Sequence, residues 1–445
     1  MPTIDLNAGA LAPVATEAEH LALPVTGNVP GDLNGVLVRN GPNPLTGRFE
    51  GQGVLGWWPE AAMLHGISFE GGRATAYRNK WLRTQRWARV YEPQSVSSRP
   101  DTNPNVNVIR HAGETLALAE GGVPLPISPL LDTLKRPSRH PFATNGMTAH
   151  PKIDPETGEL IMFHAGWKPP FLRYGVADAE GRTIVDTEIA LERPSMIHDM
   201  AITRTHSILL DLNVGYDFSM LERGHRMPLR WDDARRARLG VVARHGGEPQ
   251  WFEISPCFIQ HIVNAYDESE TAIVLDAVRY PWFLRLAPDG REFEENPLGR
   301  LHRYRIDLAS GQVQEHAVAV LGIELPRINE RLTGRPYRYF YAVEQPNTSE
   351  MRGIVRYDWQ SAAFERYALA PGDQNSEPVF VPRRGARTED DGWLLSCVYR
   401  HTTATSDVVV LDARDIAAGP IATVHLPTRI PSGFHGQWLD NDHEG

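Results

Sequence analysis

Four histidines in this chain have settings that suit one shared chemical task. His150 follows Asn145-Gly146-Met147-Thr148-Ala149, His198 lies in Ser195-Met196-Ile197-His198-Asp199, and His261 lies in Phe258-Ile259-Gln260-His261-Ile262-Val263. His435 closes the run Pro431-Ser432-Gly433-Phe434-His435-Gly436 near the end of the chain. Each lies beside small or apolar residues and turn punctuation. Neutral imidazole is the commonest protein ligand for a transition metal. The four stand 48, 63 and 174 residues apart, so none is paired at the spacing of helical or finger-type metal sites. They would have to be delivered singly from separate elements. Taken one at a time, each reads more readily as a satisfied core histidine, and spacing leaves both readings open. The others are plainer. His20, His225, His245, His401 and His443 lie in polar or charged stretches, and His65, in Met63-Leu64-His65-Gly66-Ile67, reads as a packed core residue.

The elements available to position these side chains are short strands. Glu159-Leu160-Ile161-Met162-Phe163, Ser207-Ile208-Leu209-Leu210-Asp211, Ala272-Ile273-Val274-Leu275-Asp276 and Val408-Val409-Val410-Leu411-Asp412 are brief apolar runs bounded by turn residues. Turn signals such as Asp154-Pro155-Glu156-Thr157-Gly158 and Ala287-Pro288-Asp289-Gly290 separate them. Helical patterns are few, and Pro129 to Lys135 and Trp231 to Leu239 are the better candidates. The 38 glycines and 35 prolines are spread evenly, so no linker marks a boundary. At 445 residues the chain exceeds the usual domain size, but a closed all-β propeller accommodates that length as one unit. We therefore expect a single domain over 1–445.

Charge and composition exclude some functions. A formal net charge of −10 leaves no basic face for non-specific nucleic-acid binding. No uncharged apolar run reaches the roughly 20 residues that cross a bilayer, and the N-terminus lacks the pattern of a secretion signal. The two cysteines, Cys257 and Cys397, lie in separate apolar runs and read as buried free thiols of a reducing compartment. A cytoplasmic protein is expected, with peripheral contact on the inner face of a membrane as its closest approach to lipid. Val123 to Leu134 and Tyr280-Pro281-Trp282-Phe283-Leu284 are the apolar stretches that could make such contact or equally be buried loops.

Taken together and in order, the motifs resemble the carotenoid cleavage oxygenase family. That family also holds lignostilbene dioxygenases and a retinoid isomerohydrolase. The resemblance runs from Gly31-Asp32-Leu33-Asn34-Gly35 and Arg39-Asn40-Gly41-Pro42-Asn43-Pro44 through Leu64-His65-Gly66-Ile67, Ala149-His150-Pro151-Lys152, Ile197-His198-Asp199 and His261 with Asn264-Ala265. It closes with Glu377-Pro378-Val379-Phe380-Val381-Pro382 and Phe434-His435-Gly436. It implies a seven-bladed β-propeller, with a few short helices and loops capping an axial non-haem Fe2+. His150, His198, His261 and His435 match the metal ligands, and Glu120, Glu324 and Glu377 match the carboxylates behind them. Four neutral imidazoles suit ferrous iron and leave two octahedral positions open. A carboxylate on each ring's other nitrogen would fix its tautomer.

The implied reaction is oxidative scission of a C=C bond by dioxygen into two carbonyl products, without an external electron donor. Its partners would be an apolar alkene and O2, with no obligate protein partner. The expected substrate is a carotenoid or apocarotenoid, bound in a tunnel lined by apolar side chains. The same chemistry on a stilbenoid alkene is the rival reading. It is disfavoured by Ala119, which stands where stilbene-cleaving members carry lysine. Two further departures are Glu60-Ala61-Ala62 in the first turn motif and Gln260 beside His261. A non-oxidative isomerohydrolase and a non-catalytic propeller that only binds are the remaining alternatives. The terminal stretch leads to a further expectation. Deletion from Pro431 onward should abolish iron binding and leave much of the propeller able to form.

Overall fold

The computed structural model describes residues 5–51, 56–97, 101–225, 227–290 and 293–441, and His443 lies outside them. Its regular structure is overwhelmingly antiparallel strand. Backbone proximity divides the chain into two compact units: His140–Phe340 with Glu344–Glu350, and Met1–Arg139 with Tyr341–Val343 and Met351–Gly445.

The unit built on His140–Phe340 carries three larger sheets. One runs in the order Thr183–Ala190, Phe171–Ala177, Leu160–Ala165, Lys152–Ile153, and another Ala201–Ile202, His206–Asp211, Ala237–Ala243, Gln250–Ile254. In the third, Phe258–Ser269 forms the edge, followed by Ala272–Tyr280, Arg300–Asp307 and Gln312–Arg327. Three of the apolar runs legible in sequence are strands of these sheets, at Leu160–Ala165, His206–Asp211 and Ala272–Tyr280, and are buried on both faces. Phe163, Tyr174, Ile208, Leu210, Leu239, Phe252, Leu275 and Tyr304 belong to one core cluster. The outermost strand Thr183–Ala190 is polar and largely exposed, which blunts its unpaired edge.

In the other unit the two ends of the chain share sheets. The N-terminal strands Ala18–Leu21, Gly35–Pro42, Ala62–Glu70 and Arg73–Trp81 are joined by the C-terminal strand Gly436–Asp440. Val25–Gly27, in turn, adds itself to the C-terminal strands Ala422–His425, Thr405–Asp412 and Gly392–Arg400. A small sheet of Asn107–His111, Glu114–Leu118 and Leu125–Ile127 completes the N-terminal part.

Neither stretch expected to be helical is a helix. Residues 231–239 have helix-forming composition, but Arg235 Nη2 and Arg238 Nε both donate to Asp211, at 2.6 and 2.8 Å. Asn213 Nδ2 binds the carbonyls of Asp232 and Arg235. Those tertiary bonds turn the chain between Leu229–Trp231 and Ala237–Ala243. In 129–135, Ser128 Oγ accepts from the backbone N–H groups of Leu130 and Asp132, and Leu131 sits at φ +67°. A turn results. Gln85–Tyr91 is an α-helix, capped by Thr84 Oγ1 accepting from Trp87 N, and Ser219–Glu222 is a short one.

Cys257 and Cys397 are both buried and free. Burial pushes the Cys257 thiol up to about 11, so neither is a ready nucleophile. Tyr280, Phe283 and Leu284 are buried, and Phe283 stacks on Phe258 at 4.9 Å. That stretch is a core loop. In 123–134, Ile127 and Leu131 are buried and Leu130 is exposed.

Candidate metal centre

Three of the four histidines come from neighbouring strands and loops of one unit. His150 lies in the connection before Lys152–Ile153, where Thr148 sets it twice over. The Thr148 N–H donates to Phe163 O at 2.8 Å, and its Oγ1 accepts from His150 N at 3.0 Å. His198 sits in the connection leading to Ala201–Ile202, anchored upstream by Met196 N donating to Val214 O at 3.1 Å. His261 belongs to the edge strand Phe258–Ser269, at a point where pairing with Ala272–Tyr280 is irregular on both sides of Ile262. Such irregularities re-aim a side chain that regular alternation would send elsewhere.

The three rings converge instead of stacking. Their centroids lie 4.5 Å apart for His150 and His198, 5.0 Å for His198 and His261, and 5.5 Å for His150 and His261. Interplanar angles run from 56° to 67°. The Nε2 atoms of His198 and His261 face each other at 3.3 Å. The other nitrogen of His261, Nδ1, is bound by Glu324 Oε2. Glu324 is 3% exposed. Its Oε1 accepts from Tyr280 Oη at 2.5 Å and its Oε2 from Leu325 N at 2.7 Å. Burial alone would raise the Glu324 carboxyl; the adjacent His261 and these hydrogen bonds outweigh it and hold the group below its usual range. Burial, then the neighbouring Glu324, pushes the Tyr280 phenol well above its ordinary value, so it stays a donor. With Nδ1–H committed to a carboxylate, His261 presents its Nε2 lone pair.

His435 is built the same way in the other unit. Its Nδ1 lies 3.0 Å from Glu377 Oε1, and Glu377 Oε2 accepts from Gly436 N at 2.9 Å. The backbone is pinned by His435 N donating to Val106 O and by Asn40 N donating to His435 O. The preceding turn needs glycine. A Cβ on Gly433 would stand 2.8 Å from Asn40 O, and one on Gly41 would stand 2.7 Å from Gly433 Cα. Phe434 packs on Trp57 with ring centroids 4.8 Å apart. Glu120 lies two residues past the strand Glu114–Leu118 and is half-buried.

One nitrogen from each of His150, His198, His261 and His435 belongs to a set whose members all lie within 4.8 Å of one another. Four imidazole donors, two of them with the opposite nitrogen held by a buried carboxylate, make a metal-capable cluster of the kind first-row transition ions favour. Sequence reasoning missed Tyr280. It read that residue as part of an apolar loop, because nothing local in Tyr280-Pro281-Trp282 points to a carboxylate 44 positions away.

The comparisons with known proteins agree. A family profile described as retinal pigment epithelial membrane protein matches residues 11–440. The carotenoid cleavage oxygenase of Mycobacterium tuberculosis is 34% identical over 491 residues, covering 97% of this chain and 96% of its own. Among solved structures, the cobalt-substituted apocarotenoid oxygenase of Synechocystis has a TM-score of 0.86 at 28% identity, over 96% of this chain and 97% of its own. A lignostilbene dioxygenase of Pseudomonas brassicacearum has a TM-score of 0.87 over 98% of both chains; at 24% identity this likeness is one of fold alone.

Proposed function

The chain belongs to the retinal pigment epithelial membrane protein and carotenoid cleavage oxygenase family, and from that premise we propose that it cleaves a C=C bond of a carotenoid or apocarotenoid at a ferrous centre held by His150, His198, His261 and His435. Its fold is the all-β propeller of that family, and it is a dioxygenase of oxidative alkene cleavage. The observation that carries the reading of the site is the four-nitrogen set. Glu324 behind His261 and Glu377 behind His435 support it. The solved Synechocystis relative is a cobalt-substituted protein, and cobalt and iron share a preference for imidazole donors.

Iron, when bound, supplies the redox chemistry that brings dioxygen into reaction with an alkene. The chain's own part is positional. Neutral imidazoles leave the metal's charge undiminished, and the carboxylates of Glu324 and Glu377 fix two rings by holding Nδ1–H. Glu120 is retained as the third carboxylate on the strength of the family pattern. The overall balance needs no external reductant: the alkene's two carbons each take one oxygen atom, and O2 is fully consumed in two carbonyl groups. The substrate reading rests on the 34% identical relative's being a carotenoid cleavage oxygenase and on Ala119 standing where stilbene-cleaving members carry lysine. Two buried free thiols support a cytoplasmic setting. Membrane contact, in this reading, falls to the exposed Trp167, Phe218 and Leu221 instead of Tyr280–Leu284.

The test is a product assay. Protein reconstituted with Fe(II) is incubated in air with an apocarotenoid and, separately, with a hydroxystilbene. Aldehydes from the apocarotenoid are expected. Aldehydes from the stilbene alone would overturn the substrate, and carbonyl products from neither would overturn the reaction. An alcohol released in place of a carbonyl would point to isomerohydrolysis.

A further inference from the structure

We propose that Asp199, neutralised by Lys152, is a positioning residue for the metal centre: its one carboxylate ties together the three backbone segments that carry His150, His198 and His261. The inference rests on the metal reading of those histidines. Asp199 is the chain neighbour of His198 and is 2% exposed. Its Oδ1 accepts from Met200 N at 2.7 Å and pairs with Lys152 Nζ at 2.7 Å. Its Oδ2 accepts from Ile262 N at 2.8 Å. Lys152 lies two residues beyond His150, and Ile262 directly follows His261. One side chain thus reaches all three ligand-bearing segments.

The need for it follows from the sheet. Phe258–Ser269 is an edge strand, so N–H groups on its open side have no strand to pair with. An unsatisfied buried N–H costs about 1–3 kcal/mol. The pairing of this strand with its neighbour shifts on either side of Ile262, and the Ile262 N–H is given to Asp199. A buried carboxylate left alone would be costly in turn, and Lys152, only 21% exposed in its side chain, offsets it. Glu324 orients an imidazole by its outer nitrogen; Asp199 fixes peptide backbone. The distinction matters because a metal site tolerates only about 0.5 Å of misplacement in its donors. Side-chain carboxylates behind the rings cannot correct a segment that has drifted.

The test uses Co(II) as probe on the full-length apo-protein, reading affinity by chelator competition and geometry by the d–d absorption band. Asp199→Ala is expected to weaken Co(II) binding about 10–100-fold, the usual loss when an outer partner of a ligand is removed, and to alter the band. Asp199→Asn keeps a carbonyl oxygen for Ile262 and should recover part of the affinity. Lys152→Met should fall between Asp199→Asn and the parent. Asp276→Asn is the control: that carboxylate is fully buried and paired with Arg303 in the same sheet, and its loss should leave the band unchanged. If folded Asp199→Ala and Asp199→Asn bind Co(II) with the parent's affinity and band, the proposal is wrong. Should Asp199→Ala not fold, parent-like affinity and band in both Asp199→Asn and Lys152→Met would overturn it equally. A parent protein that takes up no Co(II) would instead overturn the metal reading, and the brace with it.

Discussion

Glu324 and His65 show two ways in which burial sets the state of a histidine. Glu324 takes up the outer nitrogen of His261 and is itself held by Tyr280 Oη and Leu325 N. Glu324→Gln keeps the shape and removes the charge, so metal affinity should fall about 10–100-fold with little change in fold. Chelator competition on the apo-protein measures this, and parent-like affinity would rule out a role for the charge. His65, expected from sequence to be a core residue, is 4% exposed, with Nδ1 2.9 Å from Tyr77 Oη. Burial, then the nearby Arg39, pushes its pKa down to about 3. The native state therefore refuses a proton that the unfolded chain accepts near pH 6.5. This contribution to stability is complete above pH 6.5 and is lost as pH falls toward 3, at about 1.4 kcal/mol per unit. Urea unfolding at pH 7.5, 6 and 5 should show a shallower loss in His65→Gln than in the parent, by close to one proton's worth. Equal slopes would mean that His65 titrates normally.

Between elements, Asn264 joins the strand of His261 to the chain that leaves Glu324. Its Nδ2 donates to Leu332 O at 2.9 Å and Arg335 O at 3.0 Å, and its Oδ1 accepts from Gly334 N at 3.0 Å. Asn264 is 4% exposed, so Asn264→Ala takes this partner from Gly334 N and Arg335 O, while Leu332 O keeps Arg335 N at 3.0 Å, and should destabilise the protein by about 3 kcal/mol. Denaturant unfolding checks this; a loss under 1 kcal/mol would mean that water replaces the amide. The sequence made such strands visible and such ties invisible. Runs like Ile208-Leu209-Leu210 and Val408-Val409-Val410 are legible because burial on both faces demands continuous apolar residues. Partners such as Asn264 with Arg335, or Tyr280 with Glu324, are set by register between distant strands and leave no local period. The same cause defeated the helix expected at 231–239, whose arginines answer to Asp211 and not to their own turn. The four histidines proposed as ligands were singled out through a whole-chain pattern of motifs, since loops of independent length erase any spacing rule.

At the scale of the molecule, the C-terminal stretch has two roles that one deletion would confuse. It delivers His435, and it also supplies the strand Gly436–Asp440, paired with Gly35–Pro42 over five residues from Gly35↔Asp440 to Arg39↔Gly436. Leu439 is buried, and Trp438 packs against the cluster containing Leu37, Phe69 and Tyr77. Removing a strand of this kind exposes a row of backbone groups on Gly35–Pro42 and strips apolar cover from that core, a loss on the order of 5 kcal/mol from burial and ladder bonds together. The expectation that truncation at Pro431 leaves much of the propeller able to form therefore carries a stability cost. Truncated protein should melt well below the parent and expose an edge prone to association. His435→Ala separates the two roles, because it keeps the strand and takes away only the imidazole. Leaving Glu377 without that partner costs about 1–3 kcal/mol, so without metal the variant should melt below the parent but well above the truncation, and it should lose most of its metal affinity. The two variants are compared by scanning calorimetry and by metal uptake at equal protein concentration. If His435→Ala melts as early as the truncation, the imidazole is a packing element first and a ligand second. If the truncation melts with the parent, the shared sheet is not what holds this end of the chain in place.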